Sequence, residues 1–363
     1  MIMPNKVFTA IGSPNIAFTK YWGKRKGEAE NLPNNSSFSM TLGGEGDPIF
    51  TITSVAFSSA LGKDTFYVDG KAEESPKGAQ SIINYLRKAA RANEHALVVS
   101  YNSFPKSAGI ASSASASAAL AFVASEALGL RLSTKELSIA ARIGSGSGAR
   151  SVMGGLVEWK KGTRSDGRDS YAVQVADKDY WPELVDVIFL ISKGAKKVST
   201  NAGHERTVET SALYKARPSS AEASTEKAIS AARKMDFNTL AEVIMRDSNS
   251  LHATMLDSYP PIRYLTDDSW KVVDVIEALN SEKGKNVTAY TFDAGPNAHV
   301  ITTDEYVFEL KRRVREVLPE VSVIESKAGE GPRMLTHGPE LIHAMRPIAY
   351  EREYLINEVK IRS

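Results

Sequence analysis

The sequence predicts a two-domain protein of mixed α and β structure, for three reasons. The chain has 363 residues, which is long for one hydrophobic core, so two domains are expected. Segments with the two-residue alternation of strands and segments with helical spacing both occur along the chain. In the second half they alternate as in an open sheet covered by helices. An apolar strand at 185–191 marks the boundary, which gives an N-terminal domain at 1–190 and a C-terminal domain at 191–363.

The composition is that of an ordinary globular protein. Hydrophobic residues make up 42% and charged residues 24% of the chain, and the net charge is +2. No block of like charges suggests a nucleic-acid or membrane partner. Cysteine is absent, which excludes disulfides, thiolate metal sites and a cysteine nucleophile. The N-terminus lacks the apolar core of a signal peptide, and no apolar run approaches the roughly 20 residues of a membrane span. We therefore expect a cytoplasmic, soluble protein.

The first half combines strands with three helices. The strands at 49–53 and 65–68 are expected to be antiparallel, and Asp69-Gly70 is typical of a hairpin turn. Ser133 and Glu136 fit a capping box at the start of a helix. The predicted strands of this half are 7–12, 33–42, 49–53, 65–68, 97–101, 154–159 and 185–191, and the first helix is 81–92.

The second half is more helical. A strand at 287–292 runs into Asp293, and residues 299–302 are its expected hairpin partner. A last strand is predicted at 321–324. The apolar residues of the tail, 336–363, indicate a packed segment rather than a loose end. The predicted helices are 206–214, 221–234, 237–255, 270–279 and 306–317.

A serine- and alanine-rich stretch at 105–119 is the clearest candidate for a binding site. It follows a strand and opens a helix, so backbone N–H groups at its turn would face the positive end of the helix dipole. Such a site binds anions, most often phosphate. The hydroxyls of Ser112, Ser113 and Ser115 can add donors. The alternative is a small-residue helix that packs tightly against its neighbours. The P-loop pattern is absent.

Charged residues in three other places suggest polar chemistry. Lys20 and Lys24 flank two large aromatic residues, and Gly23 between them allows a sharp reversal of the chain. A second glycine- and serine-rich turn, 144–151, contains Arg150, whose forked guanidinium can hold a carboxylate or phosphate by two hydrogen bonds. The third place is Asp293, at the end of a predicted strand.

Together these segments resemble the mevalonate diphosphate decarboxylases of the GHMP kinase superfamily. Seven motifs occur in family order over roughly residues 7–330. They are NIA (15–17) with KYWGKR (20–25), LP (32–33) with SSFS (36–39), FP (104–105) with GIASSA (109–114), GSGS (144–147) with RS (150–151), DSN (247–249) with HA (252–253), PPI (260–262) and DAGPN (293–297).

The resemblance implies an α+β fold with a ribosomal-S5-like N-terminal part and a ferredoxin-like C-terminal part. The active site would lie in the cleft between them. Family members phosphorylate the tertiary 3-hydroxyl of a mevalonate ester with ATP and Mg²⁺. The 3-phosphate then leaves, CO₂ is lost, and an isopentenyl product forms. Dimers are usual in the family, so a homodimer is expected by analogy.

The chemistry requires particular groups, and the sequence offers a candidate for each. A carboxylate must take the proton of the tertiary hydroxyl, and Asp293 is the candidate. Arg150 would hold the substrate carboxylate and could orient Asp293. Lys20 would balance the charge on the phosphoryl group. The structural alternatives are a turn aspartate, an ion-paired arginine and a surface lysine. His252 is interpreted as a packed helix histidine rather than a catalyst.

By resemblance, further residues bind the substrate or the nucleotide. The substrate-binding set is Tyr21, Lys24, Ser145, Ser147, Ser199 and Thr200, of which Ser199 and Thr200 belong to a lysine- and serine-containing loop that closes over the phosphates. The set for the nucleotide phosphates is Lys106, Gly109, Ser112, Ser113 and Ser115. No metal ligand is assigned.

Three positions depart from the family pattern. Lys26 replaces a common acidic residue, Lys106 and its neighbours alter the start of the phosphate loop, and His204 replaces the methionine of the closing loop. Some superfamily members, particularly in archaea, stop after 3-phosphorylation, decarboxylate an already phosphorylated substrate without ATP, or use the monophosphate. The presence of Lys20, Arg150 and Asp293 favours a complete decarboxylase, whereas the altered loop leaves the ATP-independent reaction open. A non-enzymatic ligand sensor or a nucleic-acid-binding protein is disfavoured.

Overall fold

The structure is a computed structural model that describes residues 6–43, 48–74, 76–104, 112–192, 197–336 and 338–362. The predicted mixture of strands and helices is confirmed. Within these ranges no helix is both long and apolar enough to cross a membrane. The first part of the serine-rich stretch, including Lys106 and Gly109, lies outside the described residues.

The described strands form three sheets and one small hairpin. In chain order they are β1 (Phe8–Gly12), β2 (Asn15–Thr19), β3 (Ser37–Thr41), β4 (Thr51–Ser58), β5 (Thr65–Val68), β6 (Lys71–Ala72), β7 (His95–Asn102), β8 (Leu156–Trp159), β9 (Ala172–Ala176), β10 (Leu184–Leu190), β11 (Thr288–Thr291), β12 (Ala298–Thr303), β13 (Ser322–Lys327), β14 (Arg333–Met334), β15 (Ile342–His343) and β16 (Arg346–Pro347).

The described helices are concentrated in the second half, as predicted. They are α1 (Lys77–Ala90), α2 (Ser112–Ala127), α3 (Thr134–Gly144), α4 (Thr200–Thr210), α5 (Arg217–Arg233), α6 (Phe237–Leu256), α7 (Asp267–Lys283), α8 (Asp304–Val317) and α9 (Arg352–Arg362), with short 3₁₀ turns at Gly146–Ala149 and Leu213–Lys215. The predicted capping box at the start of α3 is confirmed, since the Ser133 and Glu136 side chains satisfy each other's backbone N–H groups.

The first sheet has the order β14-β1-β4-β7-β5-β6. The hairpin at Asp69-Gly70 is confirmed, and it joins β5 to β6. Strands β4 and β5 run antiparallel, as predicted, but they are not neighbours, because β7 lies between them and pairs antiparallel with β4 and parallel with β5. Alternation of apolar and polar residues identifies a strand, but it does not show which other strand of the chain will lie next to it in the sheet.

The two faces of this sheet are covered by different parts of the chain. Helices α1, α2 and α3 pack on one face around Val55, Val98 and Ala118. On the other face, Leu341, Leu355 and other apolar residues of the tail cover β4 and β7. The packed tail predicted from its apolar residues is thus confirmed. The strand predicted as the last one, now β13, is followed by three short strands, so that expectation is wrong.

A second sheet, β2-β3-β8-β9, and a third, β11-β12-β10-β13, share one hydrophobic core with α5 and α6. The predicted hairpin of β11 and β12 is confirmed. Phe18 and Phe38 from the second sheet and Ile188 from the third belong to this core. Strands β2 and β11 therefore both pack against α6, and this packing positions the site described next. The boundary at 190 stays a prediction.

One helix begins earlier than predicted. Periodicity predicts a helix from 206, but α4 begins at Thr200 because the Ser199 side chain accepts a hydrogen bond from the Ala202 N–H and caps it. The glycine at 203 hides this first turn from a periodicity analysis, since glycine is a poor helix former.

Candidate active site

One cavity of about 560 Å³ gathers most of the predicted site residues. Its walls come from the chain after β2, the N-termini of α2 and α4, the turn after α3 and the chain after β11. These segments are far apart in the sequence. The predicted residues that line the cavity are Lys20, Tyr21, Lys24, Ser112, Ser113, Ser145, Ser147, Arg150, Ser199, Thr200 and Asp293.

Lys20 and Asp293 form an ion pair in this cavity. The distance from Lys20 Nζ to Asp293 Oδ1 is 2.8 Å. The lysine side chain is only 2% exposed, whereas the aspartate side chain is 29% exposed. Lys20 directly follows β2, and Phe292 alone separates β11 from Asp293. The carboxylate thus contacts a buried cation and is partly exposed at the cavity wall.

Arg150 lies at the end of the 3₁₀ turn and is buried. Its Nε and Nη2 donate to Asn15 Oδ1 at 3.2 and 3.0 Å, and its Nη1 donates to Ser37 Oγ at 2.6 Å. Burial lowers the pKa of Arg150 to about 10, and the charge of Asp293 opposes this shift. A guanidinium has five N–H groups. One on each terminal nitrogen is therefore left over by these three bonds.

Asn15 is a site residue to which the sequence analysis assigned no role. Its amide group also donates to Ser151 Oγ at 2.7 Å and to the Ser147 carbonyl at 3.1 Å. It therefore holds both the arginine and the turn that carries it. Its position at the head of the first family motif was the available signal.

Three serine hydroxyls form a chain along the cavity wall. Ser113 Oγ lies 3.1 Å from Ser145 Oγ, which lies 3.2 Å from Ser147 Oγ. Ser113 is on the first turn of α2, and Ser145 is the residue at which α3 ends. These hydroxyls can rotate to donate or accept, which suits a ligand with several oxygen atoms.

The other end of the cavity contains Tyr21 and Lys24. Lys24 Nζ donates to Asn201 Oδ1 on α4 at 3.0 Å, and burial lowers the pKa of Lys24. The Tyr21 hydroxyl is buried without a hydrogen-bond partner among the described residues, and burial raises its pKa. Ser199 and Thr200 form the start of α4 here. A helix N-terminus beside a lysine is favourable for an anion.

His204 on α4 also lines this end, and the sequence analysis recorded it only as a departure from the family pattern. The Gly23 N–H donates to its Nδ1 at 2.8 Å, and its ring stacks on Trp22 with centroids 4.1 Å apart. Burial lowers the pKa of His204 to about 3. The ring is therefore neutral near pH 7 and joins α4 to the turn that carries Tyr21 and Lys24.

One predicted site residue, Ser115, is not brought to the cavity wall, and His252 also lies away from it. Ser115 is fully buried, its Oγ lying 2.6 Å from Thr51 Oγ1 and 3.1 Å from the Ser112 carbonyl, so its hydroxyl is used inside the fold. His252 is packed in the interior, as predicted, with Nε2 3.4 Å from the Phe292 carbonyl.

The donor set of the cavity fits a magnesium ion that arrives with a nucleotide. No group of three or more His, Asp or Glu able to hold a metal occurs in the part of the chain that the structure describes. Magnesium in nucleotide sites takes most ligands from phosphates and water and only one or two from the protein. Asp293, Glu30, Ser112 and Ser113 all line the cavity.

Comparisons with known proteins agree on one family. The model of the diphosphomevalonate decarboxylase-like N-terminal domain matches residues 12–172, and that of the mevalonate 5-diphosphate decarboxylase C-terminal domain matches residues 186–350. The diphosphomevalonate decarboxylase of Bos taurus is 40% identical over 336 residues, which cover 87% of this chain and 82% of the bovine protein.

Solved structures lead to the same group. The mevalonate diphosphate decarboxylase of Staphylococcus aureus is 33% identical with a TM-score of 0.82, over 91% of this chain and 98% of that one. A structure of MDDEF in complex with MVAPP, AMPPCP and magnesium is 35% identical with a TM-score of 0.81, over the same shares.

Proposed function

The chain belongs to the diphosphomevalonate decarboxylase family, and on this premise we propose that it decarboxylates a 5-phosphorylated mevalonate after ATP-dependent phosphorylation of the 3-hydroxyl. It is a carboxy-lyase of the mevalonate pathway. The two-domain α+β fold of the GHMP kinase type is that of its solved relatives. We infer the 5-diphosphate as substrate, since solved relatives include a complex with MVAPP.

The observation that carries the proposal is the Lys20–Asp293 pair beside Arg150 in one cavity. Asp293 is a carboxylate at the cavity wall whose side chain is 29% exposed, and it would take the proton of the tertiary hydroxyl as a general base. Lys20 would offset the negative charge that gathers on the phosphoryl group at the same oxygen. The base that takes the hydroxyl proton and the cation that offsets the phosphoryl charge would thus both lie next to the 3-oxygen of the substrate.

Arg150 would hold the carboxylate of the substrate. Its two remaining N–H groups, one on each terminal nitrogen, match the two oxygens of a carboxylate. When the C3–O bond breaks, its electron pair leaves with the phosphate. The C1–C2 pair then forms the C2–C3 double bond, and the carboxylate departs as CO₂. Arg150 would keep the substrate aligned until that step.

ATP, when bound, supplies the phosphoryl group, and Mg²⁺ neutralises the charge of the phosphates. Ser112 and Ser113 at the N-terminus of α2 would contact the nucleotide phosphates. Lys106 and Gly109 stay predicted members of the same site. Ser145 and Ser147 would contact substrate oxygens, and Tyr21, Lys24 and the start of α4 would bind the distal phosphate.

The proposal is tested by CO₂ release from mevalonate 5-diphosphate, 5-phosphate and 3,5-bisphosphate, each with and without ATP and Mg²⁺. We expect release from the 5-diphosphate only with ATP and Mg²⁺, at one ADP per CO₂. Release from the bisphosphate alone would instead establish the ATP-independent reaction. ADP without CO₂ would establish a mevalonate 3-kinase.

The relatives described above, from an animal and from bacteria, do not support an archaeal-type variant.

Two expectations about the molecule in solution stay predictions. A homodimer should have twice the chain mass in light scattering at micromolar concentration, and a particle of single chain mass would exclude it. The cytoplasmic location expected from the sequence can be checked by fractionation of the cells that produce the protein.

A further inference from the structure

Helix α6 contributes three buried polar side chains that contact the main chain at Lys20 and at Phe292, the residue before Asp293. Ser248 and His252 are four residues apart and share a face of the helix, whereas Asp247 lies about 100° around the helix from Ser248. All three are buried. They belong to a motif that the sequence analysis singled out, and the proposed reaction assigns them no role.

The first of these contacts binds the backbone of Lys20 to α6. The Lys20 N–H donates to Asp247 Oδ2 at 2.6 Å. Arg217, the first residue of α5, donates to both oxygens of Asp247 at 2.7 and 2.8 Å and to the Lys20 carbonyl at 3.4 Å. The Asn35 amide donates to the same carbonyl at 3.0 Å. Both polar groups of the Lys20 backbone are therefore bound by buried side chains.

The other contacts bind α6 to the backbone of Phe292, the residue before Asp293. The Phe292 N–H donates to Ser248 Oγ at 3.1 Å. His252 Nε2 lies 3.4 Å from the Phe292 carbonyl, which can only accept, so the ring donates. Burial lowers the pKa of His252 to about 4, which agrees with a neutral ring that has its hydrogen on Nε2. Neighbouring residues of one helix thus bind the backbone at Lys20 and next to Asp293.

We propose that α6 is a template that sets the distance between Lys20 and Asp293. Asp247, supported by Arg217, positions the lysine, and Ser248 with His252 positions the aspartate. None of the four is among the residues that line the cavity, so they would act as positioning residues. The inference rests on the proposed function. A reacting group displaced by about 1 Å can cost a hundredfold in rate, so a rigid template has a direct effect on turnover.

The placement of the Arg217–Asp247 pair argues for this role over a purely structural one. Its side chains are 1% and 0% exposed, and buried ion pairs are often replaceable by apolar residues without loss of stability. What an apolar replacement could not provide is the acceptor for the Lys20 N–H. The pair is therefore best explained by the backbone that it holds.

The test compares Ser248→Ala with Thr254→Val on the same helix. Thr254 is also buried, and its hydroxyl donates within α6 to the Leu251 carbonyl, away from the pair. Steady-state CO₂ release should show a loss in kcat of roughly tenfold or more for Ser248→Ala, with KM within about twofold. Ser248→Thr, which keeps a hydroxyl, should restore most of kcat. Thr254→Val should leave both constants within about twofold.

Wild-type kcat in Ser248→Ala, or an equal loss in Thr254→Val, would overturn the proposal. If Ser248→Ala does not fold, Asp247→Asn is measured instead, with the same expected loss in kcat at constant KM. If the wild-type protein releases no CO₂, the proposed function fails separately. Crystal structures of wild type and variant then decide: an unchanged Lys20–Asp293 distance contradicts the template, and a longer distance supports it.

Discussion

The two ends of the cavity are built differently. The charged end, with Lys20, Arg150 and Asp293, is buried and bound by side chains from several elements. The other end, with Lys24 and the start of α4, has fewer bonds, and the contact of Lys24 with Asn201 is exposed. A group that acts on the reacting atoms needs fixed geometry, whereas a group that binds a distal phosphate can adjust as the ligand arrives.

This difference has a kinetic consequence. Substitutions at the charged end should lower kcat, because they disturb groups that act in the transition state. Substitutions at the other end should raise KM, because they remove contacts that are equal in the ground state and the transition state. Three changes test this division, ordered by the size of the expected effect, and a fourth tests the burial of His204 at the other end.

Asp293→Asn should have the largest effect. It keeps the size of the side chain but removes the proposed base, so kcat should fall by roughly 10²–10⁴-fold. The measurement is single-turnover release of ADP and CO₂ at saturating substrate. A variant that keeps full activity would contradict the role proposed for Asp293. Binding of substrate by calorimetry serves as the control, since the cavity should remain intact.

Arg150→Lys should be next. Lysine keeps the charge but loses the fork that contacts Asn15 and Ser37 and that would bind the substrate carboxylate. We expect kcat/KM to fall by about a hundredfold, since charged hydrogen bonds contribute about 1.5–3 kcal/mol each. A substrate analogue without the carboxylate should bind wild type and variant equally. A preference of wild type for that analogue would contradict the assignment.

Lys24→Met should affect KM rather than kcat. Loss of one partly buried charge should raise KM for the 5-diphosphate by roughly tenfold, with kcat within about threefold. Burial lowers the pKa of Lys24, so its charge disappears at a lower pH than that of an ordinary lysine. The wild-type KM should therefore rise towards alkaline pH, and this rise should be smaller in the variant.

His204→Met should change the pH dependence of stability. The pKa of His204 falls from about 6.5 to about 3 in the folded protein, so the unfolded chain binds the proton more readily. The contribution of the neutral His204 ring to the free energy of unfolding is complete above about pH 6.5, and it is lost as the pH falls towards 3. In urea titrations the loss in unfolding free energy between pH 7 and pH 4 should be smaller in the variant, by on the order of 3 kcal/mol.

Equal acid sensitivity of the two proteins would contradict the burial argument for His204. The carboxylates titrate in both proteins, so the comparison cancels their contribution. His252 has a similarly lowered pKa and remains in both, which keeps the difference specific to His204.

The sequence by itself determined the elements and most of the members of the site. Alternation and helical spacing located strands and helices because these patterns follow from local geometry. The capping box at Ser133 and the hairpin at Asp69-Gly70 are local for the same reason. The ordered motifs supplied Lys20, Arg150 and Asp293, which the cavity brings together.

Only the tertiary structure decided which strands, segments and side chains are in contact. Whether β7 separates β4 from β5, or whether the tail covers the first sheet, depends on long-range packing that no local pattern encodes. The same holds for Ser115, whose hydroxyl is used by Thr51 inside the fold. The contacts of α6 with the backbone are also long-range. Asp247 and Lys20 are more than 200 positions apart in the sequence, and Ser248 and Phe292 are about 40 apart. Such contacts exist only after the core has closed.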